Sequence, residues 1–167
     1  MKIFFIRHGE PDYSFIKKTD NCQWSNLAPL TNKGIEQALK LREDKNLKNK
    51  PIICSPYTRA LQTATILANG KKILIEPKLH EWLPSKHFSI KSSEIVIANK
   101  EFKLNCQNCD YETKEEMIER FSQVIEKYKD KKELILVAHS RIMSTYLQSI
   151  GINKKYFDYC EVFCIEI

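Results

Sequence analysis

Two short, uninterrupted apolar runs near opposite ends of the chain constrain the fold most: Ile3-Phe4-Phe5-Ile6 and Leu134-Ile135-Leu136-Val137-Ala138. Runs of this length without polar alternation are buried on both faces, as central strands of a parallel sheet are when helices cover it. Each run ends at a histidine. Arg7-His8-Gly9-Glu10 follows the first run and His139 follows the second. Open α/β sheets place ligands beyond the carboxyl ends of their strands, so two such ends can present two imidazoles to one pocket.

Between and after these runs, strand and helix signals alternate. Pro51 to Cys54, Ile73 to Ile75 and Val162 to Ile167 read as further strands. Thr31 is placed to cap a first helix, with Leu30 and Ile35 spaced as a hydrophobic staple and an end near Lys45. Ser55-Pro56 reads as the N-cap and first residue of a second helix, which puts Arg59 one turn in and at the same sheet end as His8. Thr113-x-x-Glu116 is a capping box before Met117, Phe121, Val124, Ile125 and Tyr128 at helical spacing. A last helix carries Ile142, Met143, Tyr146, Leu147 and Ile150 and stops at Gly151. From Glu76 to about Glu112 no period emerges, which predicts a functional lid or binding loop. The expectation is an α/β fold: a three-layer α/β/α sandwich around a mostly parallel sheet, one domain over residues 1–167 with a lid at about 76–112.

Composition narrows the function classes. The chain has 167 residues, 43% of them hydrophobic, enough for one real core. No apolar stretch approaches the roughly 20 residues needed to span a bilayer, so no membrane partner is expected. A strand begins almost at residue 1, so neither a signal nor a transit peptide is expected, and a cytoplasmic location is. The net charge of +6 comes from dispersed lysines, a pattern suited to attracting small anions rather than forming a nucleic-acid surface. Of six cysteines only Cys106-x2-Cys109 has metal-like spacing. Cys160 and Cys164, read as part of one extended strand, would lie roughly 13 Å apart. Cys54 ends an apolar run as a small core hydrophobe, and Cys22 has no visible partner. Reduced thiols are the expected state, with no zinc site.

Four motifs in order give the chain a resemblance to the histidine phosphatase superfamily, which contains the cofactor-dependent phosphoglycerate mutases and many small phosphatases. Arg7-His8-Gly9-Glu10 is similar to the nucleophile motif, and Leu30-Thr31 with Gly34, Gln37 and Ala38 to the next element. Ser55-Pro56 with Arg59-Ala60, Gln62-Thr63 and Ala64 resembles the third motif, and Val137-Ala138-His139 the fourth. The resemblance implies a phosphoglycerate mutase-like fold and a glutamate proton donor after the third strand. Glu81, in Leu79-His80-Glu81-Trp82, matches it, and Glu10 is the alternative carboxylate.

The residues suit that chemistry. Phosphoryl transfer needs an in-line nucleophile, cationic donors around the phosphoryl oxygens and an acid for the leaving oxygen. His8 is the expected nucleophile and His139 a donor that holds the transferred group, while Arg7 and Arg59 offer fork-shaped donors to phosphate. Backbone amides after His8 and at the start of the helix after His139 would add donors. The apolar neighbours Trp82 and Leu83 suit a carboxyl that must hold a proton.

Some positions depart from the family pattern. Pro11 and Ser14 stand where a hydroxyl residue and an asparagine are frequent, and Ser14 can still donate to phosphate. Ser140 and Arg141 follow His139 in place of a glycine. Ser140 is expected to cap the helix and contact phosphate, while Arg141 either adds charge at the rim or points into solvent. The expected activity is metal-independent hydrolysis of a small phosphomonoester through a phosphohistidine on His8, with no cofactor. A mutase, or a module that binds phosphorylated ligands without turnover, is the alternative. Lys78, His80, Trp82, Lys86, His87, Phe88 and Lys91 in the lid would suit a sugar phosphate, a nucleotide or a phosphorylated cofactor precursor, or else form an ordinary lysine-rich surface.

Overall fold

The computed structural model describes residues 1–14, 22–87, 90–104 and 110–167. Its sheet has five strands: β1 (Lys2–Arg7), β2 (Ile52–Cys54), β3 (Ile73–Ile75), β4 (Glu133–Ala138) and β5 (Val162–Glu166), in the order β3-β2-β4-β1-β5. β1, β2, β3 and β4 run parallel, and β5 closes one edge antiparallel to β1. Helices α1 (Asn32–Arg42), α2 (Thr58–Ala68), α3 (Ser92–Leu104), α4 (Lys114–Lys127) and α5 (Ser140–Ser149) cover it. Among the described residues no helix is long and apolar enough to cross a membrane.

Strand alternation divides the core in two. Ile3, Phe5, Leu134 and Leu136 face α3, α4 and α5, where Phe5 stacks on Phe121 at 6.0 Å and Phe121 on Tyr146 at 4.5 Å. Phe4, Ile6, Ile135 and Val137 face the other way, onto Ala60, Ala64 and Ala68 of α2. Small alanines let α2 approach the sheet closely, so the expected three-layer sandwich is the observed one.

Local signals held where the chain chemistry is self-contained. Thr31 accepts from the Gly34 amide, and Thr113 and Glu116 form both halves of the capping box. α5 ends with Ile150 as C-cap and Gly151 at φ 82°, a left-handed turn that favours glycine. Elsewhere tertiary packing overrode the sequence reading. α1 stops at Arg42, and Ile35 is exposed rather than stapled to Leu30. Cys160 lies in a turn at φ 55° outside β5, so it shares no extended strand with Cys164. The expected lid contains α3. Its inward residues are Ala98 and Phe102, but Val96 and Ile97 are exposed, and the run Ile95-Val96-Ile97-Ala98 hid the helical period. Cys106, Cys109 and Phe88 fall outside the described residues.

Two glycines mark where α1 meets the loop after β1. A Cβ on Gly34 would lie 2.2 Å from Glu10 O, and one on Gly9 would lie 2.5 Å from Gly34 O, so the two backbones touch. Gly34→Ala should therefore lower stability by about 1–3 kcal/mol through overpacking, although alanine ordinarily favours a helix. A thermal midpoint equal to or above that of the unmodified protein would contradict this close approach.

Candidate active site

Parallel register builds the site. Arg7 pairs with Ala138, and Cys54 with Val137, so Ser55, His139 and His8 leave three adjacent strands at the same edge of the sheet. His8 N donates to Ala138 O at 3.1 Å, and the rings of His8 and His139 lie 5.1 Å apart, edge to face. Both side chains are buried.

His8 has a defined tautomer. A carbonyl can only accept, so the 2.7 Å contact between His8 Nδ1 and Gly9 O places the proton on Nδ1. Nε2 then carries the lone pair, and Arg59 Nε donates to it at 3.1 Å. Arg59 is itself fixed by a 2.7 Å bond from Nη1 to Ser25 O. Burial, followed by the charges of Arg59 and Arg7, holds His8 well below the ordinary histidine pKa despite the opposing bond to Gly9.

His139 Nε2 lies 2.8 Å from Ser55 Oγ, and its Nδ1 has no hydrogen-bond partner among the described residues. Ser55 Oγ accepts from the Tyr57 amide at 3.3 Å, which leaves its hydroxyl proton free to bond His139 Nε2. Ser55 is therefore not the cap of α2, which begins at Thr58 after Tyr57, so Arg59 is its second residue. Burial first, then Arg59 and the neighbouring histidines His8 and His80, push the His139 pKa well down.

These two rings predict a sign for the pH dependence. Both stay neutral in the folded protein below pH 6.5, where the unfolded chain binds their protons. Stability from this source is therefore intact above about pH 6.5 and falls below it, by up to about 1.4 kcal/mol per pH unit for each ring. Urea midpoints measured from pH 7.5 to 5 should decline below pH 6.5, and a flat profile would refute the buried neutral pair.

Backbone clamps hold the loop after β1. Glu10 N donates to Gln37 Oε1 at 2.9 Å, Gly9 N to Thr63 Oγ1 at 3.0 Å, and Leu30 N to Gln62 Oε1 at 2.7 Å. The glutamines and threonine of the second and third motifs thus serve main-chain amides. Tyr13 and Tyr57 flank Arg59 with centroids 5.9 and 5.2 Å from its Cζ, and Tyr159 lies 5.8 Å from His8.

Glu81 borders the same pocket as Arg59, a cavity of about 250 Å³. Its Oε1 accepts from Trp82 N and Ile142 N, both at 3.0 Å, and its Oε2 from Arg141 N at 3.3 Å. The amides at the start of α5, expected to serve a phosphate, are here occupied by this carboxylate, which a helix N-terminus favours. Arg120 supports the segment: Nη1 donates to Lys78 O at 2.6 Å and His80 O at 2.9 Å, and the guanidinium forms a two-pronged ion pair with the buried Glu112. Neither residue carried a local signal, because the pair closes a loop that only the folded chain brings together.

The other expected residues are placed differently. Arg7 donates through Nη1 to Tyr156 Oη at 2.5 Å and Phe157 O at 2.6 Å, with Cζ 4.0 Å from the Tyr159 ring centroid. Glu10 reaches Thr31 at 3.1 Å and Lys33 at 2.8 Å, and Lys33 holds its carboxyl below the ordinary pKa range. Ser14 is exposed, with its amide 2.8 Å from Asp12 Oδ1. Ser140 is the first residue of α5 rather than its cap, and its Oγ accepts from Phe157 N at 3.0 Å. Among the described residues no group of His, Cys, Asp and Glu is arranged to hold a metal.

A mostly parallel sheet between helices, with paired histidines and an arginine at its carboxyl edge, defines the class of α/β proteins whose sites lie beyond the strand ends. Within that class the chain belongs to the histidine phosphatase superfamily (branch 1), whose sequence profile matches residues 3–162. No curated protein matches it in sequence. Several solved structures share its fold. The phosphoserine phosphatase of Entamoeba histolytica in complex with 3-phosphoglyceric acid has a TM-score of 0.73 and 21% identity over 98% of this chain and 89% of that one. The α-ribazole phosphatase of Shigella flexneri gives 0.72 and 21% over 100% and 91%. A mycobacterial glucosyl-3-phosphoglycerate phosphatase gives 0.74 and 16% over 99% and 92%.

Proposed function

We propose that the protein is a phosphatase that hydrolyses small phosphomonoesters through a phosphohistidine on His8, without a metal ion. The observation that carries this reading is the state of His8: proton on Nδ1, lone pair on Nε2, ring kept neutral, and a guanidinium 3.1 Å from the reacting nitrogen. In this scheme a phosphate oxygen replaces Nε2 as the acceptor for Arg59, which frees the lone pair for in-line attack. The N–P bond forms as the ester P–O bond breaks. His139, oriented by Ser55, offers its unpartnered Nδ1–H to a phosphoryl oxygen.

Glu81 supplies the proton to the departing alkoxide. Its Oε1 already accepts two amides, whereas Oε2 accepts one longer bond, so Oε2 is the freer place for that proton. In the second half-reaction Glu81 takes a proton from the attacking water, the N–P bond breaks, and His8 returns neutral. The solvated lysines, Ser14 and Glu10 take no part in these steps.

The test is a trapping experiment. Protein mixed with a labelled phosphomonoester and quenched in base, where phosphohistidine survives, should carry label on the peptide containing His8. Turnover should persist with a chelator, and phosphoglycerate as substrate should release inorganic phosphate rather than isomerise. Unlabelled protein during turnover, or activity abolished by chelation and restored by a divalent metal, would refute the mechanism.

A further inference from the structure

We infer that Arg141 binds a second anionic group on the alcohol side of the substrate, so that the preferred phosphomonoesters carry a carboxylate or a further phosphate. The substrate assignment rests on the phosphatase reading; the binding geometry does not.

Arg141 is the second residue of α5, two positions after His139. Its guanidinium lies against Trp82, with Cζ 4.3 Å from the ring centroid, and 5.1 Å from that of Phe102. Nη2 donates to Asn99 Oδ1 at 2.7 Å. Nη1 is shielded from water and has no acceptor among the described residues. The aromatic faces and Asn99 thus fix the plane of the fork while leaving one arm unmatched. A buried, unpaired donor on a cation is a penalty that a ligand oxygen would remove.

The surroundings show which ligand would do so. Arg141 and Arg59 border the same pocket, whose walls include Tyr57, Trp82, Ile90 and Ile95. Arg59 is committed to His8 and to the phosphoryl group that His8 would receive. Glu81 is the one carboxylate bordering the pocket among the described residues. Its hydrogen bonds go to the amides of Trp82, Arg141 and Ile142, so its carboxylate meets the guanidinium through space and not as a hydrogen-bonded pair. As proton donor it is also neutral while the substrate binds, before it gives up its proton. At that stage Arg141 has no anion on the pocket wall, and a second anionic group on the leaving alcohol would supply it. A neutral alcohol would leave the donor unmatched, which is discrimination by an unpaired polar group.

Matched substrates test this. O-phosphoserine and phosphoethanolamine differ by a carboxylate, and fructose 1,6-bisphosphate and fructose 6-phosphate by a second phosphate. The unmodified protein should favour the anionic member of at least one pair in kcat/KM by about 10–100-fold, the span of a charge-assisted hydrogen bond. Which pair responds identifies the group. Arg141→Met keeps an apolar stem on Trp82 and should collapse that preference to about threefold or less. Arg141→Gln serves if methionine disturbs α5. No preference in the unmodified protein, or equal losses on both members in the variant, would overturn the inference. Calorimetry on the His8→Ala variant separates the two readings. Preferential binding of phosphoserine there, with no turnover of any substrate by the unmodified protein, would sink the phosphatase and leave the anion site standing.

Discussion

Replacing His8 with alanine should lower kcat by about 10⁴–10⁶-fold, the scale seen when a covalent nucleophile is removed. Among the described residues no nearby group is placed to take over. His139 is buried with Nε2 on Ser55, and its ring centroid lies 5.1 Å from that of His8. The substitution also strips Arg59 Nε of its acceptor, so phosphate should still bind while transfer fails. Added imidazole, entering the space left by the ring, should restore part of the rate. Activity above a tenth of the original would place the nucleophile elsewhere.

Arg120→Ala carries the largest expected cost in stability, about 3–5 kcal/mol, because it leaves Glu112 buried without its ion-pair partner. In a chain of this size that corresponds to a thermal midpoint lower by roughly 6–20 °C. The loss reaches the site as well. Lys78 O and His80 O lose their donor, so the segment that carries Glu81 loosens, and kcat should fall along with the midpoint. Replacing both Arg120 and Glu112 with leucine should recover much of the stability but not the activity. A midpoint shift below about 2 °C in the alanine variant would show that the pair is not the clamp described.

Much of the sheet was legible because its central strands are uninterrupted apolar runs, whereas strand order and register depend on pairings between distant segments. The two histidines were legible for the same reason, since each stands where such a run stops. α3 was not, because Val96 and Ile97 expose apolar side chains beside the inward Ala98 and blur the period. The role of Ser55 was misread from a good local signal: Ser-Pro is a fair helix start, but its hydroxyl makes a tertiary bond to His139 84 residues away. Glu81 was found through resemblance, whereas its support by Arg120 and by the amides of α5 depends on contacts 39 to 61 residues distant. Arg141 was visible as a departure at position 141, and only the packing of Trp82, Phe102 and Asn99 turns that departure into a bound guanidinium.

The strand order has a consequence for how such a chain is made. β1 is synthesised first, yet its two neighbours in the sheet are β4 and β5, with Ile3 facing Leu134 on one side and Ile165 on the other. At about 5–20 residues per second, a ribosome needs roughly 6 to 25 seconds between making β1 and making its first partner. Through that interval Ile3-Phe4-Phe5-Ile6 has both hydrogen-bonding edges open and both faces uncovered, which is when a strand is most prone to pair with the wrong chain. Contacts of such long sequence separation also make for slow folding. The nascent histidine at the end of β1 therefore waits for the last fifth of the chain before any pocket can form around it.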